Sequence, residues 1–179
     1  MNVSTTHQHK KDLHGPYNFV LITVSTSRYL KYGSVATPEA AEDVSGQVMR
    51  DIVVKNGHCV LQYILINDDS ESIKNAVRSA IDMGADIIVS SGGTGLTSQD
   101  VTIESIAPMF DKEIPGFGEL FRYKSIEEIG TSVILSRAVA GVIKNRAIFC
   151  LPGSPNAVSL ALENIIVPEA GHIVKHIQE

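Results

Sequence analysis

The chain has 179 residues, 44% hydrophobic and 20% charged, with a net charge of −5. This composition suits a globular domain with a sizeable core and is too apolar for a disordered chain. The acidic balance, with no basic stripe, argues against nucleic acid or an anionic membrane surface as a partner.

Residues 1–15 are polar and carry His7, His9 and His14. They lack the apolar core of a signal peptide and are expected to form a solvated tail, leaving 16–179 as one domain. The apolar run 19–24 reads as a strand buried on both faces. The polar stretch 27–42 has no clear period and reads as a long loop of the kind that is often functional, with residues 28–42 as a candidate lid or intersubunit arm. Val44, Val48, Met49, Ile52 and Val53 then mark one helical stripe, with Asp43 as N-cap and Gly57 as stop.

A second strand is expected over 60–66, and Asn67-Asp68-Asp69-Ser70 ends it. Ile73, Ala76, Val77, Ala80 and Ile81 have the spacing of an amphipathic helix. A third strand covers 85–89 and runs into SSGGTGLTSQD over 90–100. Thr102 is expected to cap a helix bearing Ile103, Ile106, Ala107 and Phe110. Pro115-Gly116-Phe117-Gly118 reads as a break, followed by a looser helix to about Ile129.

Two strands, 139–143 and 147–151, pair through a Lys144-Asn145 turn. Ser154 with Pro155 opens the next helix, and Pro168 opens a last short one. The alternation predicts an α/β three-layer sandwich around a mostly parallel sheet with one antiparallel element. No apolar run reaches the length of a membrane span. Cys59 and Cys150 have no metal-ligand spacing and read as two buried thiols, which points to the cytoplasm.

Polar punctuation follows the strands: Ser25 and Ser27 after the first, Asp68 after the second, residues 90–100 after the third, and Pro152, Gly153 and Ser154 after the last. In a parallel sheet these strand ends share one rim, where ligands bind. Gly92, Gly93, Thr94 and Gly95 have the makings of a phosphate cradle, since glycine lets backbone amides approach an anion. The spacing matches neither GxGxxG nor the P-loop. A turn that merely reverses the chain fits it almost as well. Asp68 and Asp100 on the same rim suit Mg²⁺ between carboxylates and phosphates, or N–H donors of a heterocycle. Helix capping explains each acid equally well. Arg137, after Ser136, is a surface arginine or an anion clamp. His58, His172 and His176 show no partner pattern and read as surface or packing residues. No Ser or Cys nucleophile motif is present.

The same residues carry a family resemblance. Residues 87–95, followed by Asp100-Val101-Thr102, resemble the signature of the molybdenum-cofactor biosynthesis domain of MoaB/MogA proteins. Residues 115–122 are similar to its second block, Ser136-Arg137-Ala138 to its third, and 151–155 to its fourth. Asp43-Val44-Ser45-Gly46 is similar to a further block at the start of the first helix. Asn67 stands where the family has proline before its acid, and Gln99 where many relatives have arginine.

The resemblance implies the MoaB/MogA-like fold and a homotrimer or hexamer. It also implies molybdopterin adenylyltransferase activity: Mg-ATP and molybdopterin give adenylyl-molybdopterin and pyrophosphate, and a molybdate-insertion enzyme acts downstream. The alternative is a non-catalytic molybdopterin-binding or scaffold member. The residues implied are Asp68 and Asp100 for catalysis and Mg²⁺. For ligand binding they are Ser25, Ser27, Gly92, Gly93, Thr94, Gly95, Gly116, Glu119, Ser136, Arg137, Pro152, Gly153 and Ser154.

Overall fold

The structure is a computed structural model and describes residues 15–179. Residues 1–14 of the expected tail lie outside the described residues. Six strands form one sheet: β1 (Asn18–Val24), β2 (Cys59–Ile66), β3 (Ile87–Ser91), β4 (Lys112–Glu113), β5 (Val139–Ile143) and β6 (Arg146–Leu151). Their order is β2-β1-β3-β6-β5-β4. β2, β1, β3 and β6 are mutually parallel, while β5 runs antiparallel to both β6 and β4. The mostly parallel three-layer expectation therefore holds.

Alternation along the strands sorts the core into two layers. Phe19, Leu21, Ile87, Val89 and Phe149 face α2 (Val44–Lys55), α5 (Pro115–Ile129), α6 (Pro155–Ala161) and α7 (Val167–Gln178). Val20, Ile22, Ile88 and Ile148 face α3 (Ser70–Asp82) and α4 (Thr102–Ile106). Because the side-chain period of a strand is two, one apolar run can feed both layers.

Several elements depart from expectation. The polar stretch after β1 holds a helix, α1 (Thr26–Tyr32), with no buried residue and hence no apolar stripe to reveal it. The rest of that stretch is tied to its own end. Arg28 Nη1 donates to Ala41 O at 3.0 Å and Glu42 O at 2.5 Å, and Tyr32 OH donates to Glu42. Asp43 occupies the N-cap position of α2 but makes no capping bond. Its buried Oδ2 accepts from Thr23 Oγ1 at 2.7 Å and Tyr63 OH at 2.8 Å. Burial raises the Tyr63 phenol pKa above its usual value.

Pro115 does not break the chain; it starts α5, because a first-turn residue needs no amide donor. Pro168 does not open a separate helix either. Residues Pro155–Gln178 run continuously, with a π-helical turn at Leu162–Ile166. A widened turn just before Pro168 relieves the clash its ring would make with a preceding carbonyl. This 24-residue stretch is long and on average apolar enough to cross a membrane, although, as the sequence reading held, it contains no continuous apolar run of that length. Its apolar residues supply core instead: Val158, Ala161, Leu162, Ile165, Ile166 and Ala170 are at most 5% exposed.

The expectation of two buried thiols fails for Cys59, which is exposed at the start of edge strand β2. Cys150 is fully buried, and desolvation pushes its thiol up to about 12.

Candidate functional site at the carboxyl rim of the sheet

The carboxyl ends of β1, β3 and β6 are adjacent in the sheet, with β2 beyond β1. The register pairs Thr23 with Ser91 and Ser91 with Leu151, so the loops that follow leave the sheet side by side. Gly92 N donates to Leu151 O at 3.0 Å. A Cβ on Gly153 would sit 3.3 Å from Gly92 Cα, and Ser45 Oγ, at the start of α2, donates to Gly153 O at 2.8 Å.

The turn after β3 is built for close approach. Gly92 and Gly93 have φ of 99° and 62°, a region that disfavours any side chain. A Cβ on Gly93 would lie 2.7 Å from Asp68 Oδ1 and closer still to Thr102 Oγ1. One on Gly95 would lie 2.7 Å from Asp100 Oδ2. The two carboxylates therefore flank the tripeptide 93–95, as the convergence of strand ends requires.

Neither acid caps the helix that follows it. Asp69, not Asp68, caps α3, accepting from Ser72 N at 2.8 Å. Asp68 Oδ2 instead accepts from Thr26 N at 2.8 Å and Thr26 Oγ1 at 2.9 Å, joining the end of β2 to the start of α1. Asp100 Oδ2 accepts from Thr97 Oγ1 at 2.6 Å and Thr97 N at 3.0 Å, which closes a turn ahead of α4.

These Thr97 bonds, then the Gly95 amide and the nearby Arg137 charge, hold the Asp100 carboxyl below the usual carboxylate range, against a smaller desolvation effect. A depressed pKa contributes stability that is full above the unfolded value and is lost as pH falls through the folded one. Carboxyl-carbon NMR should therefore place the Asp100 midpoint below 3.8, the ordinary value. A midpoint at or above it would contradict these contacts.

Arg137 does not stand free to clamp an anion. Nη1 donates to Gly95 O at 3.0 Å and Nη2 pairs with Glu104, so the guanidinium braces the glycine turn. Thr94 is 5% exposed, which limits the access of its hydroxyl to a ligand. With Gly92 N bonded to Leu151 O and Gly95 N leaning on Asp100, the Gly93 and Thr94 amides are the turn's candidates for an anion.

Ser25 and Ser27 reach the rim on either side of Thr26, with their Oγ atoms 3.4 Å apart. Ser136, Pro152 and Ser154 line a cavity of about 90 Å³ beside the last loop. Ser154 caps α6 by accepting from Ala157 N at 3.2 Å. Gly116 lies on the first turn of α5 and Glu119 at the start of the second. Glu119 lines a cavity of about 230 Å³ with Arg122 and Ala138, which takes no residue from 92–100.

The sequence reading missed three contributors. Thr26 holds Asp68. Thr102 is not a cap; its Oγ1 donates to Gly92 O at 2.9 Å and its N to Gly93 O at 2.9 Å. Ser45 fixes the Gly153 carbonyl. Each had a sequence signal short of its role: Thr26 in the hydroxyl run 25–27, Ser45 and Thr102 within blocks that resemble the family's.

Comparison with known proteins is consistent with this geometry. The family model described as a probable molybdopterin binding domain matches residues 20–172. The molybdenum cofactor biosynthesis protein B of Bacillus cereus is 42% identical over 168 residues, covering 93% of this chain and 94% of that one. Among solved structures, a molybdenum cofactor biosynthesis protein B has a TM-score of 0.82 at 40% identity, over 92% of this chain and 98% of that one. The tungsten cofactor synthesizing protein MoaB from Pyrococcus furiosus has a TM-score of 0.79 at 44% identity, over 91% and 98%.

Proposed function

The chain belongs to the molybdenum cofactor biosynthesis family that shares the probable molybdopterin binding domain, and from that premise we propose that it is a molybdopterin adenylyltransferase. The observation that carries the proposal is the glycine turn at 93–95 with the Asp68 and Asp100 carboxylates on either side. A binding surface for a neutral ligand has no need of two carboxylates beside backbone amides; one for a polyphosphate with its cation does.

In this reading an oxygen of molybdopterin's terminal phosphate attacks the α-phosphorus of ATP. The bond from that phosphorus to the bridging oxygen breaks, and pyrophosphate leaves. The protein supplies no nucleophile, in keeping with the lack of any activated Ser or Cys motif. Its residues position two anions in line. The Gly93 and Thr94 amides hold phosphate oxygens. Ser25 and Ser27 donate to one ligand, and Gly153 and Ser154 frame the other. Mg²⁺, held by Asp68 and Asp100, would neutralise charge on the transferring phosphoryl group. Two carboxylates suffice for an ion that takes its remaining ligands from phosphates and water.

A homotrimer or hexamer is part of the proposal. α5 and the turn after it leave Tyr123, Ile126, Ile134 and Leu135 between 49% and 81% exposed, and Tyr123 and Ile126 line a cavity of about 470 Å³. Such a face is expected to be covered by another copy, and a monomer in sedimentation at working concentration would remove this part. The commitment of Asp68 Oδ2 to Thr26 and of the Gly92 amide to Leu151 favours a second reading, a molybdopterin-binding member without transfer.

One assay separates the two. Purified protein with Mg-ATP and molybdopterin is expected to yield adenylyl-molybdopterin and pyrophosphate in equal amounts by chromatography. Molybdopterin retention without product establishes the second reading and rejects the first.

A further inference from the structure

Far from that rim, α7 ends in a pair of histidines that read as isolated in the sequence and are not. His172 and His176 are one turn apart, and their Nε2 atoms face each other at 2.9 Å. The rings meet edge to face, with centroids 4.6 Å apart. Each ring has a carboxylate on its other side. Glu169 Oε2 lies 3.4 Å from His172 Nδ1, and Glu179 Oε2 lies 3.6 Å from His176 Nδ1. A carboxylate beside Nδ1 favours the tautomer with its proton there and leaves the lone pair on Nε2. Two such lone pairs pointed at each other repel unless a proton or a Lewis acid stands between them.

We propose that His172 and His176 form a bidentate site, through both Nε2 atoms, for a borderline divalent transition-metal ion such as Ni²⁺, Cu²⁺ or Zn²⁺. Imidazole nitrogen is a preferred donor for these ions, and an i, i+4 pair on a helix presents two donors to one centre. Bonds of about 2.0–2.1 Å place two nitrogens roughly 2.9 Å apart at the right angle that Ni²⁺ and Cu²⁺ favour, and roughly 3.3 Å apart at the tetrahedral angle of Zn²⁺. The observed separation matches the right-angled case, the pair opens by a few tenths of an ångström for the tetrahedral one, and both side chains are exposed enough to adjust, at 42% and 63%.

The histidines border a cavity of about 400 Å³ that Asp111, Lys112, Glu113 and Asn145 also line. The cavity gives the ion room for water or a further ligand, and its two acids against one lysine favour a cation. No third His, Cys, Asp or Glu completes a cluster among the described residues, so water fills the other positions and the site is one of exchange, not a structural clamp. Asn145 lies in the turn that enters β6, which puts the cavity at the amino-terminal rim, opposite Gly92. The proposal thus stands apart from the adenylyl-transfer reading.

The test uses the full chain, stripped by chelator, with His7, His9 and His14 changed to Gln so that they contribute no metal binding. Ni²⁺ titrated into this background by calorimetry should show one binding event per chain that the His172→Gln/His176→Gln variant lacks. His172→Gln or His176→Gln should each weaken binding at least about tenfold, and Glu169→Gln should weaken it by up to that amount through the ring it orients. Cu²⁺ spin resonance should show two nitrogen ligands in the background protein and one in either single variant. Absence of Ni²⁺ binding to the background protein at about millimolar metal, or unchanged affinity in His172→Gln/His176→Gln, overturns the site.

Discussion

Asp100→Ala is expected to lower adenylyl transfer by at least about 100-fold, the low end of what removing a preorganised electrostatic group costs. Its carboxylate sits against Gly95 at the open end of the glycine turn. Two roles are possible there, bracing the turn through Thr97 and holding the cation, and Asp100→Asn separates them. The amide keeps an acceptor for Thr97 N and Thr97 Oγ1 but removes the charge. If charge carries the effect, both variants lose transfer alike. An asparagine variant that turns over at the wild-type rate while the alanine variant fails would leave Asp100 a turn-bracing residue and sink the cation assignment.

Asp68→Ala should lose transfer to a similar degree, with some loosening of α1 because Thr26 N gives up its acceptor. Asp69→Ala is the control. Asp69 spends its carboxylate on the cap of α3, accepting from Ser72 N, so this variant should lower the melting temperature and leave transfer intact.

Gly92→Ala is expected to cost at least about 2 kcal/mol of stability, combining a backbone region that disfavours side chains with overpacking. Gly92 has φ of 99°, and its Cβ would press into the carbonyl oxygen of Val24. That neighbour is the backbone of a central strand, so it cannot rotate aside. For a chain of this length the loss reads as a melting temperature lower by at least about 4 °C. Transfer should fall with it, because Gly92 links β3 to Leu151 and receives the Thr102 hydroxyl. Gly116→Ala, on the first turn of α5 with nothing within 4 Å of the added carbon, should be neutral within about 0.5 kcal/mol. Equal melting of Gly92→Ala and the wild type would mean that the turn is not held as described.

The outcome at individual residues shows where sequence reasoning reaches. The apolar segments 19–24, 60–66, 85–89, 139–143 and 147–151 read correctly as strands because their pattern is local, and each falls within two residues of β1, β2, β3, β5 and β6. α1 was invisible because a helix that buries nothing carries no stripe. Pro115 and Pro168 misled in opposite ways. Proline is read as a breaker, but at a first turn it starts a helix, and after a π turn it can sit inside one. The His172–His176 spacing was in plain view, yet nothing local distinguishes a facing pair from two solvated side chains.

The chain by itself determined the alternation of strands and helices, the placing of glycine, hydroxyl and acidic residues after strands, and the family blocks. All of these are properties of neighbours within a few residues. Only the tertiary structure decided that β1, β3 and β6 stand side by side, that Asp68 reaches across 42 residues to Thr26, and that Arg137 donates to the Gly95 carbonyl of the glycine turn. It also decided which amides of the turn are already spoken for. Local periodicity follows from the geometry of one segment, whereas these contacts depend on which segments share a buried layer, and that is settled by the packing of the whole chain.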